Sequence, residues 1–357
     1  MLLSHTTALE ALRDLRLCCR LAMGDRCSAI CPGERPTRAE VEALLECYPT
    51  LTSPVHVLVA PTVNRRPRAN LRVHTSKDPL PADSAIELSP GVLCVSPEQL
   101  LVQMAPRLTQ LELIFLLGEL LGTYAIAPDL DDGMFNRRVP LTSPELVQAH
   151  LEQLGPAPGV AQVRSALTQA CVRSNSPFET RLSMRFGLRP GLGGWHLHVL
   201  SMNEPLEVKR IVARLGTGVR KPDVFLGSTC EDSPFSGVAF DYHGGVHRET
   251  RQISYDLRRQ NELLAIDFKP YALDKALYDD LDYMEGIVAR VRSDLGLPDE
   301  RLSEDERVRR RRLRQWLHDE LERIDGVRWD GRERARRAAS CPDPWYDPVP
   351  VEAYGLD

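Results

Sequence analysis

Three acidic residues in the third quarter of the chain, Glu179, Asp223 and Asp241, have the side chains and the settings of metal ligands. Asp223 precedes a short apolar run and is predicted at the start of a strand. Asp241 comes at the end of a second apolar run and is predicted at the end of the next strand. Hydrolysis of a phosphodiester needs a hard cation that polarises phosphoryl oxygens and lowers the pKa of an attacking water. Mg²⁺ prefers oxygen ligands and typically takes one or two protein carboxylates. The three acids therefore predict a site for Mg²⁺ or Mn²⁺, with Asp223 and Asp241 as ligands and Glu179 assisting through a water.

Two histidines follow Asp241 and extend the predicted site. His243 lies two residues further on and shares the face of Asp241, because side chains alternate along a strand. It could orient or deprotonate the attacking water. The pair Gly244-Gly245 permits a sharp turn, after which His247 is expected to help hold the scissile phosphate. The i, i+4 spacing of the histidines also matches helical zinc pairs, but the intervening glycines argue against a helix.

Each acid also has a structural explanation. Glu179 stands three residues after Ser176, which is the spacing of a capping box. Asp223 could serve only to begin a strand or turn. Asp241 is the strongest candidate, because an acid at the end of an apolar strand is costly to bury without a partner. Residues 267–269, Asp-Phe-Lys, offer a second acid-x-lysine motif that would move the site by one strand.

Arginines provide candidate contacts to nucleic acid, although the net charge of −5 gives the chain no overall basic character. The predicted phosphate contacts are Arg251, Arg258, Arg259, Arg310 and Arg311. The last two belong to an arginine-rich run at 307–314 that acidic residues flank on both sides. Such a run could neutralise phosphates, or it could form a solvated helix face whose charges pair with one another.

The order of these residues resembles a known family. The motifs are Ser-x-x-Glu at 176–179, Pro-Asp at 222–223, acid-Tyr-x-Gly-x-x-His at 241–247 and Asp-x-x-Arg at 256–259. Together they resemble the very-short-patch-repair-like endonuclease domains of the PD-(D/E)xK superfamily, which occur in actinobacterial proteins. The resemblance covers residues 172–296 and implies a restriction-endonuclease-like core that cuts DNA with Mg²⁺.

The resemblance implies a role for each residue of the motifs. Glu179, Asp223 and Asp241 become the acids of the metal site. His243 falls at the position usually held by Lys, Asp or Gln, and His247 at a recurrent histidine of the domain. No lysine follows Asp241 in the motif. This departure supports the alternative of a catalytically degenerate nuclease fold that serves as a nucleic-acid-binding, toxin–antitoxin or regulatory interaction module.

Periodicity and capping residues predict the elements that must position the site. The pair Ser176-Pro177 marks the start of a helix. Strands are predicted at 207–214, 223–226, 237–242 and 264–268, and helices at 249–263, 273–294 and 303–323. This order predicts antiparallel strands followed by a strand–helix–strand crossover.

The first half of the chain, residues 1–155, is predicted to form a smaller mixed α/β domain. We expect this domain to have a regulatory role or to bind DNA or a protein partner. Its His74-Thr75 strand and Ser96-Pro97 helix faintly resemble the region before such nuclease domains in proteins related to AbiEi-type antitoxins. The expected fold is thus α/β, of the α+β type, with a restriction-endonuclease-like mixed sheet flanked by helices at 172–296. A charged helical extension at 297–340 and an irregular tail at 341–357 are expected to follow.

The length and composition limit the classes of protein to which the chain can belong. With 357 residues, 43% of them hydrophobic and 27% charged, the chain is long enough for two domains and globular in composition. It lacks the long apolar run of a membrane helix, so no membrane partner is expected. Nine scattered cysteines and the absence of a secretory signal pattern predict reduced thiols and a cytoplasmic location. We therefore expect a metal-dependent endonuclease acting on DNA in defence or repair, with a protein partner if it belongs to a toxin–antitoxin system.

Overall fold

The structure, a computed structural model, describes residues 1–17, 26–27, 32–61, 68–76, 79–137, 139–210, 216–228, 230–242 and 250–340. Side chains are described for these residues except 200, 209, 250–256 and 338–340. The chain divides into two units, one of Met1–Ala170 with Gly326–Asp357 and one of Cys171–Asp325. Helices and mixed sheets in both units confirm the predicted α+β class. Over the described ranges, no helix has the length and hydropathy needed to cross a bilayer.

A five-stranded mixed sheet forms the centre of the first unit. Its strands are β1 (Leu2–Leu3), β2 (Val55–Val59), β3 (Leu71–Thr75), β4 (Ala85–Ser89) and β5 (Val92–Val95), in the spatial order β3-β2-β1-β5-β4. The short β1 pairs antiparallel with β2 and parallel with β5, while β2 and β3 run parallel. A two-residue strand has no alternation to detect, so the sequence pattern did not predict β1.

Helices complete the first unit. They are α1 (His5–Arg13), α2 (Arg38–Cys47), α3 (Pro97–Met104), α4 (Gln110–Leu120), α5 (Pro144–Leu154) and α6 (Val160–Leu167), with a hairpin of β6 (Tyr124–Ile126) and β7 (Met134–Asn136). The predicted helix starts hold, because the hydroxyls of Ser96 and Thr109 accept hydrogen bonds from the backbone N–H groups of Gln99 and Glu112.

A four-stranded sheet forms the centre of the second unit, in the order β13-β12-β11-β8. Its strands are β8 (Val199–Ser201), β11 (Val224–Gly227), β12 (Gly237–Tyr242) and β13 (Phe268–Leu273), and β9 (Leu206–Lys209) pairs separately with β10 (Thr217–Arg220). The helices are α7 (Pro177–Gly187), α8 (Thr250–Leu264), α9 (Lys275–Asp279), α10 (Leu281–Asp294) and α11 (Glu304–Arg323), with a 3₁₀ turn at Pro190–Leu192. As expected, β11 and β12 are antiparallel, and α8 connects β12 to the parallel β13.

Aromatic packing holds α7 against this sheet. The ring of Phe186 on α7 lies 4.7 Å from that of Phe240 on β12, and Phe240 lies 5.4 Å from Tyr271 on β13, between ring centroids. Phe186 and Phe240 are fully buried. Large buried rings contribute strongly to core stability, so this contact fixes the helix that carries Glu179.

The strand expected at 207–214 is present as β9 only to Lys209, and residues 211–215 lie outside the described ones. Two other predicted elements of the second unit differ in position. The last strand begins at Phe268 instead of 264, because α8 continues to Leu264 and the chain then turns through Asp267, which has a φ of 59°. The single helix expected at 273–294 is two helices. The break falls at Asp280, whose extended backbone and side chain cap the start of α10 by accepting a hydrogen bond from the N–H of Tyr283.

The charged extension expected at 297–340 is divided between the two units. Its first part, α11, belongs to the second unit, and its last helix, α12 (Gly331–Ser340), belongs to the first. The reason lies in two hydrogen bonds, from the N–H of Gly331 to Oε1 of Glu112 at 2.9 Å and from Nε of Arg332 to the carbonyl oxygen of Leu108 at 2.7 Å. The tail expected at 341–357 lies outside the described residues.

Candidate functional site

Glu179 lies in the first turn of α7 and is buried. Its backbone N–H donates to Oγ of Ser176, whose hydroxyl in turn contacts Oε1 of Glu179, both at 3.1 Å. Oε2 accepts two further hydrogen bonds, from the N–H of Asn175 at 2.8 Å and from Nδ2 of Asn203 at 2.6 Å. The helix cap is thus present as expected, and the same carboxylate also reaches the chain just beyond β8.

Asp223 immediately precedes β11 at the same edge of the sheet. Its N–H donates to the carbonyl oxygen of Phe240 at 3.0 Å, and its Oδ2 accepts from the N–H of Tyr242 at 2.6 Å. Asn203 joins this acid to Glu179, because its own N–H donates to the carbonyl oxygen of Pro222 at 2.9 Å. Asp223 and Glu179 are therefore held by one connected set of hydrogen bonds.

Asn203 is a site residue that sequence reasoning missed. It stands two residues after β8 with a φ of 52°, a left-handed conformation that asparagine tolerates better than most residues. An asparagine just after a short strand is the only local signal, and it indicates a turn. The contact with Glu179 spans 24 positions, so it becomes visible only in the folded chain.

The pKa of Glu179 is unusually high for a carboxyl group. Burial, and after it the negative charge of Asp223, raise the pKa of Glu179 to about 7. The hydrogen bonds from Asn175, Asn203 and Ser176 act in the opposite direction, because they favour the ionised form. Near neutral pH, Glu179 is thus divided between its protonated and ionised forms, and a cation beside it would favour the ionised form.

Asp241 is compensated in a different way. It is buried near the end of β12, and its Oδ1 lies 2.6 Å from Nη2 of Arg259 on α8. The same guanidinium donates to the carbonyl oxygen of Lys221. The acid with the strongest sequence signal therefore has an arginine as its ion-pair partner, and that arginine was itself predicted to contact DNA.

Among the described residues, the three acids do not together form one compact set of ligand atoms, and the expected binding of an ion by the pair Asp223 and Asp241 stays a prediction. Within the described part of the chain, the group of three or more potential ligands whose atoms all lie within 4.8 Å of one another is a histidine cluster in the first unit. Glu179, Asp223 and Asp241 do not form such a group in this conformation. A cation at this edge would be held directly by no more than two of them, which is the number that Mg²⁺ typically takes.

The other predicted site residues have varied positions. His243 and His247 lie outside the described residues, as does the side chain of Arg251. Arg258 is exposed on α8. Phe178 and Tyr242, which adjoin two of the acids in the chain, stack with ring centroids 3.4 Å apart. This stack ties the first turn of α7 to the end of β12.

The predicted phosphate contacts on α11 are engaged with acids. Arg310 pairs with Glu300 at 3.2 Å and with Glu306 at 2.9 Å. Arg311 pairs with Asp282 at 2.6 Å and with Glu285 at 2.7 Å. These contacts favour the alternative interpretation of this run, a solvated helix face with internal charge pairing, over a surface for phosphates.

A second group of ionisable side chains, the histidine cluster, consists of His5, His56 and His74 in the first unit. Nε2 of His74 lies 3.1 Å from Nδ1 of His56, and the ring of His5 stacks on that of His74 with centroids 3.6 Å apart. Burial, with a contribution from the charge of Arg107, lowers the pKa of His56 and His74 to about 4 and that of His5 to about 2. All three imidazoles are therefore neutral at pH 7.

Sequence reasoning did not identify this cluster. Histidine occurs within both β2 and β3, and a histidine in each of two predicted strands could have suggested the His56–His74 pair. His5 joins them only because β1 pairs with β2 and brings the start of α1 to the same place.

Comparison of the chain with models of protein families, with curated proteins and with solved structures gave no match.

The pKa of Glu179 predicts how stability depends on pH. Because the pKa is raised from 4.5 to about 7 on folding, its stabilising contribution is complete below pH 4.5 and is lost as the pH rises through 7. Glu179→Gln stays neutral, so from pH 4 to pH 8 the variant should gain about 3 kcal/mol in free energy of unfolding relative to wild type. Urea denaturation at several pH values measures this difference. Glu207→Gln, an exposed control in the same unit, should follow wild type, and parallel profiles for Glu179→Gln would contradict the assignment.

Proposed function

We propose that the second unit hydrolyses phosphodiester bonds of DNA with a divalent metal ion, Mg²⁺ or Mn²⁺, bound at the edge of the sheet where Glu179 and Asp223 meet. The observation that carries the proposal is that Asn203 donates both to Oε2 of Glu179 and to the carbonyl oxygen of Pro222, in the peptide group that precedes Asp223. In agreement with this connection, the charge of Asp223 contributes to raising the pKa of Glu179. Perturbed carboxyl groups held close together are typical of sites that bind cations or transfer protons. The motif order that resembles PD-(D/E)xK nucleases supports the same interpretation.

The donor atoms at this edge suit a hard cation. Carboxylate oxygens are the ligands that Mg²⁺ prefers, and a carboxylate offers about four acceptor positions. The bonds that Glu179 receives come from neutral donors, Asn175, Asn203 and Ser176, which need not leave when a cation binds. Asp241 has a charged partner in Arg259, so we assign the direct contacts to Asp223 and Glu179 and give Asp241 an indirect role.

The residues of this chain would then act as follows. A bound Mg²⁺ would polarise a phosphoryl oxygen and lower the pKa of a water. Glu179, with a pKa of about 7, can accept or return a proton near neutral pH. His243 would orient or deprotonate the attacking water and His247 would help hold the scissile phosphate, in the roles expected from the sequence. Arg258, exposed on α8, would contact the DNA backbone.

A second candidate function is favoured by the ion pair of Asp241 with Arg259. An arginine within 2.6 Å gives that acid a positive partner built into the protein. A catalytically degenerate nuclease fold could retain the acid in this form and act as a nucleic-acid-binding, toxin–antitoxin or regulatory interaction module. The two functions differ in what the acids do, since only hydrolysis needs a cation beside Asp223.

Plasmid nicking tests the proposed function. Purified wild type is incubated with supercoiled DNA and Mg²⁺, Mn²⁺ or EDTA, beside Asp223→Asn and the exposed control Asp232→Asn. We expect metal-dependent nicking by wild type and by the control, and a loss of about 100-fold or more in Asp223→Asn, since metal catalysis contributes several kcal/mol.

The outcomes of this experiment separate the two candidates. Cleavage that is unchanged in Asp223→Asn would show that the metal site is misplaced. DNA binding without nicking in any metal, with an affinity that persists in Asp223→Asn, would favour the binding module.

The ion pair of Asp241 gives an independent prediction. Arg259→Gln leaves a buried carboxylate without its arginine and should lower the free energy of unfolding by about 3 kcal/mol. If the sheet edge accepts a cation, Mg²⁺ should recover part of this loss and raise the melting temperature of Arg259→Gln more than that of wild type. Arg258→Gln, on the adjacent exposed arginine of the same helix, is the matched control and should respond like wild type. An equal response to Mg²⁺ in all three proteins would show that no cation reaches Asp241 when its arginine is removed.

A further inference from the structure

The histidine cluster has the composition and spacing of a transition-metal site. Three imidazoles, each with a nitrogen capable of ligation, have these atoms within 4.8 Å of one another. Imidazole is a preferred ligand of Zn²⁺ and of other divalent transition metals, and a poor match for Mg²⁺. The side chains are neutral at pH 7, which is the form that binds metal.

The distances within the cluster are close to those of a zinc complex. In a tetrahedral site with Zn–N bonds of about 2.0–2.1 Å, two nitrogen ligands stand about 3.3–3.4 Å apart. Nε2 of His74 and Nδ1 of His56 are separated by 3.1 Å. Bringing the two nitrogens to this spacing requires a movement of only a few tenths of an ångström. The nitrogen that donates the hydrogen bond between them also has to transfer its proton to the other nitrogen of its ring through solvent, so that both nitrogens can bind the ion.

His5 is positioned to supply the third ligand. Its Nδ1 lies 3.1 Å from Oγ of the buried Ser4, which leaves Nε2 for an ion. A hydrogen bond at the second ring nitrogen is the usual way in which proteins orient a ligating histidine. The backbone of His5 is fixed as well, because its N–H donates to Oε1 of Gln103 at 3.2 Å. The stacking of its ring on His74 has to open for both rings to point at one ion.

We propose that His5, His56 and His74 bind one Zn²⁺ ion in the first unit, with a fourth coordination position open to water. Three protein ligands with an open position are the arrangement of zinc sites that bind a water or an external ligand, in contrast to closed structural sites. The side chains of His56 and His74 are only partly buried, so the site can be reached from solvent. This site is separate in residues and in metal preference from the carboxylate edge of the second unit.

The test uses the full chain, purified without a histidine tag and stripped with a chelator. Titration calorimetry with ZnCl₂ should give one ion per chain. His56→Gln and His74→Gln should each weaken binding about 100-fold or more, since even loss of a residue that only orients a ligand costs about 10–100-fold. His198→Gln, an exposed histidine of the second unit, is the matched control and should bind like wild type.

Further measurements keep the test decisive if a histidine variant folds poorly. Ser4→Ala should bind Zn²⁺ about 10-fold more weakly than wild type, because Ser4 contacts Nδ1 of His5. Co²⁺ bound to wild type should show the intense visible absorption of tetrahedral coordination, and alkylation of the cysteines should leave binding intact. Failure of wild type to bind Zn²⁺, or binding unaffected by both His56→Gln and His74→Gln, would overturn the proposal.

Discussion

The local structure of the second unit depends on how it accommodates the buried carboxylate of Glu179. Three donors, from Asn175, Ser176 and Asn203, converge on its two oxygens. Because Asn203 also bonds to the backbone of Pro222, the first turn of α7, the end of β8 and the start of β11 are held at one point. The helix start, the strand ends and the position of the two acids therefore cannot change independently.

The acids at this edge illustrate two ways of burying a negative charge. Asp241 has an arginine beside it, which places a positive charge of the protein next to the acid. Glu179 has neutral donors and a second acid nearby, so its charge is compensated in part by a proton. A proton is easily exchanged for another cation, whereas the partly buried guanidinium of Arg259 is not, because its removal leaves the buried carboxylate of Asp241 without a compensating charge. This difference is why the proposed ion lies beside Glu179 and Asp223.

The sequence predicted the elements whose limits are set locally. Helix α7 begins where Ser176 caps it, and β11 and β12 follow short apolar runs. The sequence predicts β13 too early, because the apolar Leu264 belongs to the end of α8 and the chain turns at Asp267 before the strand begins. The roles of Asn203 and His5 could not be predicted, since their partners are brought together only in the folded chain, in the case of His5 by the pairing of β1 with β2. The ion pair of Asp241 with Arg259 likewise could not be predicted. The two residues are 18 positions apart in the chain, and they meet because α8 lies beside the end of β12.

The first unit consists of two separate segments of the chain, so its folding depends on the order in which they are synthesised. The polypeptide leaves that unit after Ala170 and returns to it at Gly326. Until the returning segment emerges from the ribosome, the buried carboxylate of Glu112 lacks its hydrogen bond from the N–H of Gly331. Arg13 can already donate to Glu119, but its second acceptor, the carbonyl oxygen of Gly326, is still missing. The second unit is contiguous and has no such requirement. Synthesis from the N-terminus therefore favours an order in which the unit encoded later completes its folding first.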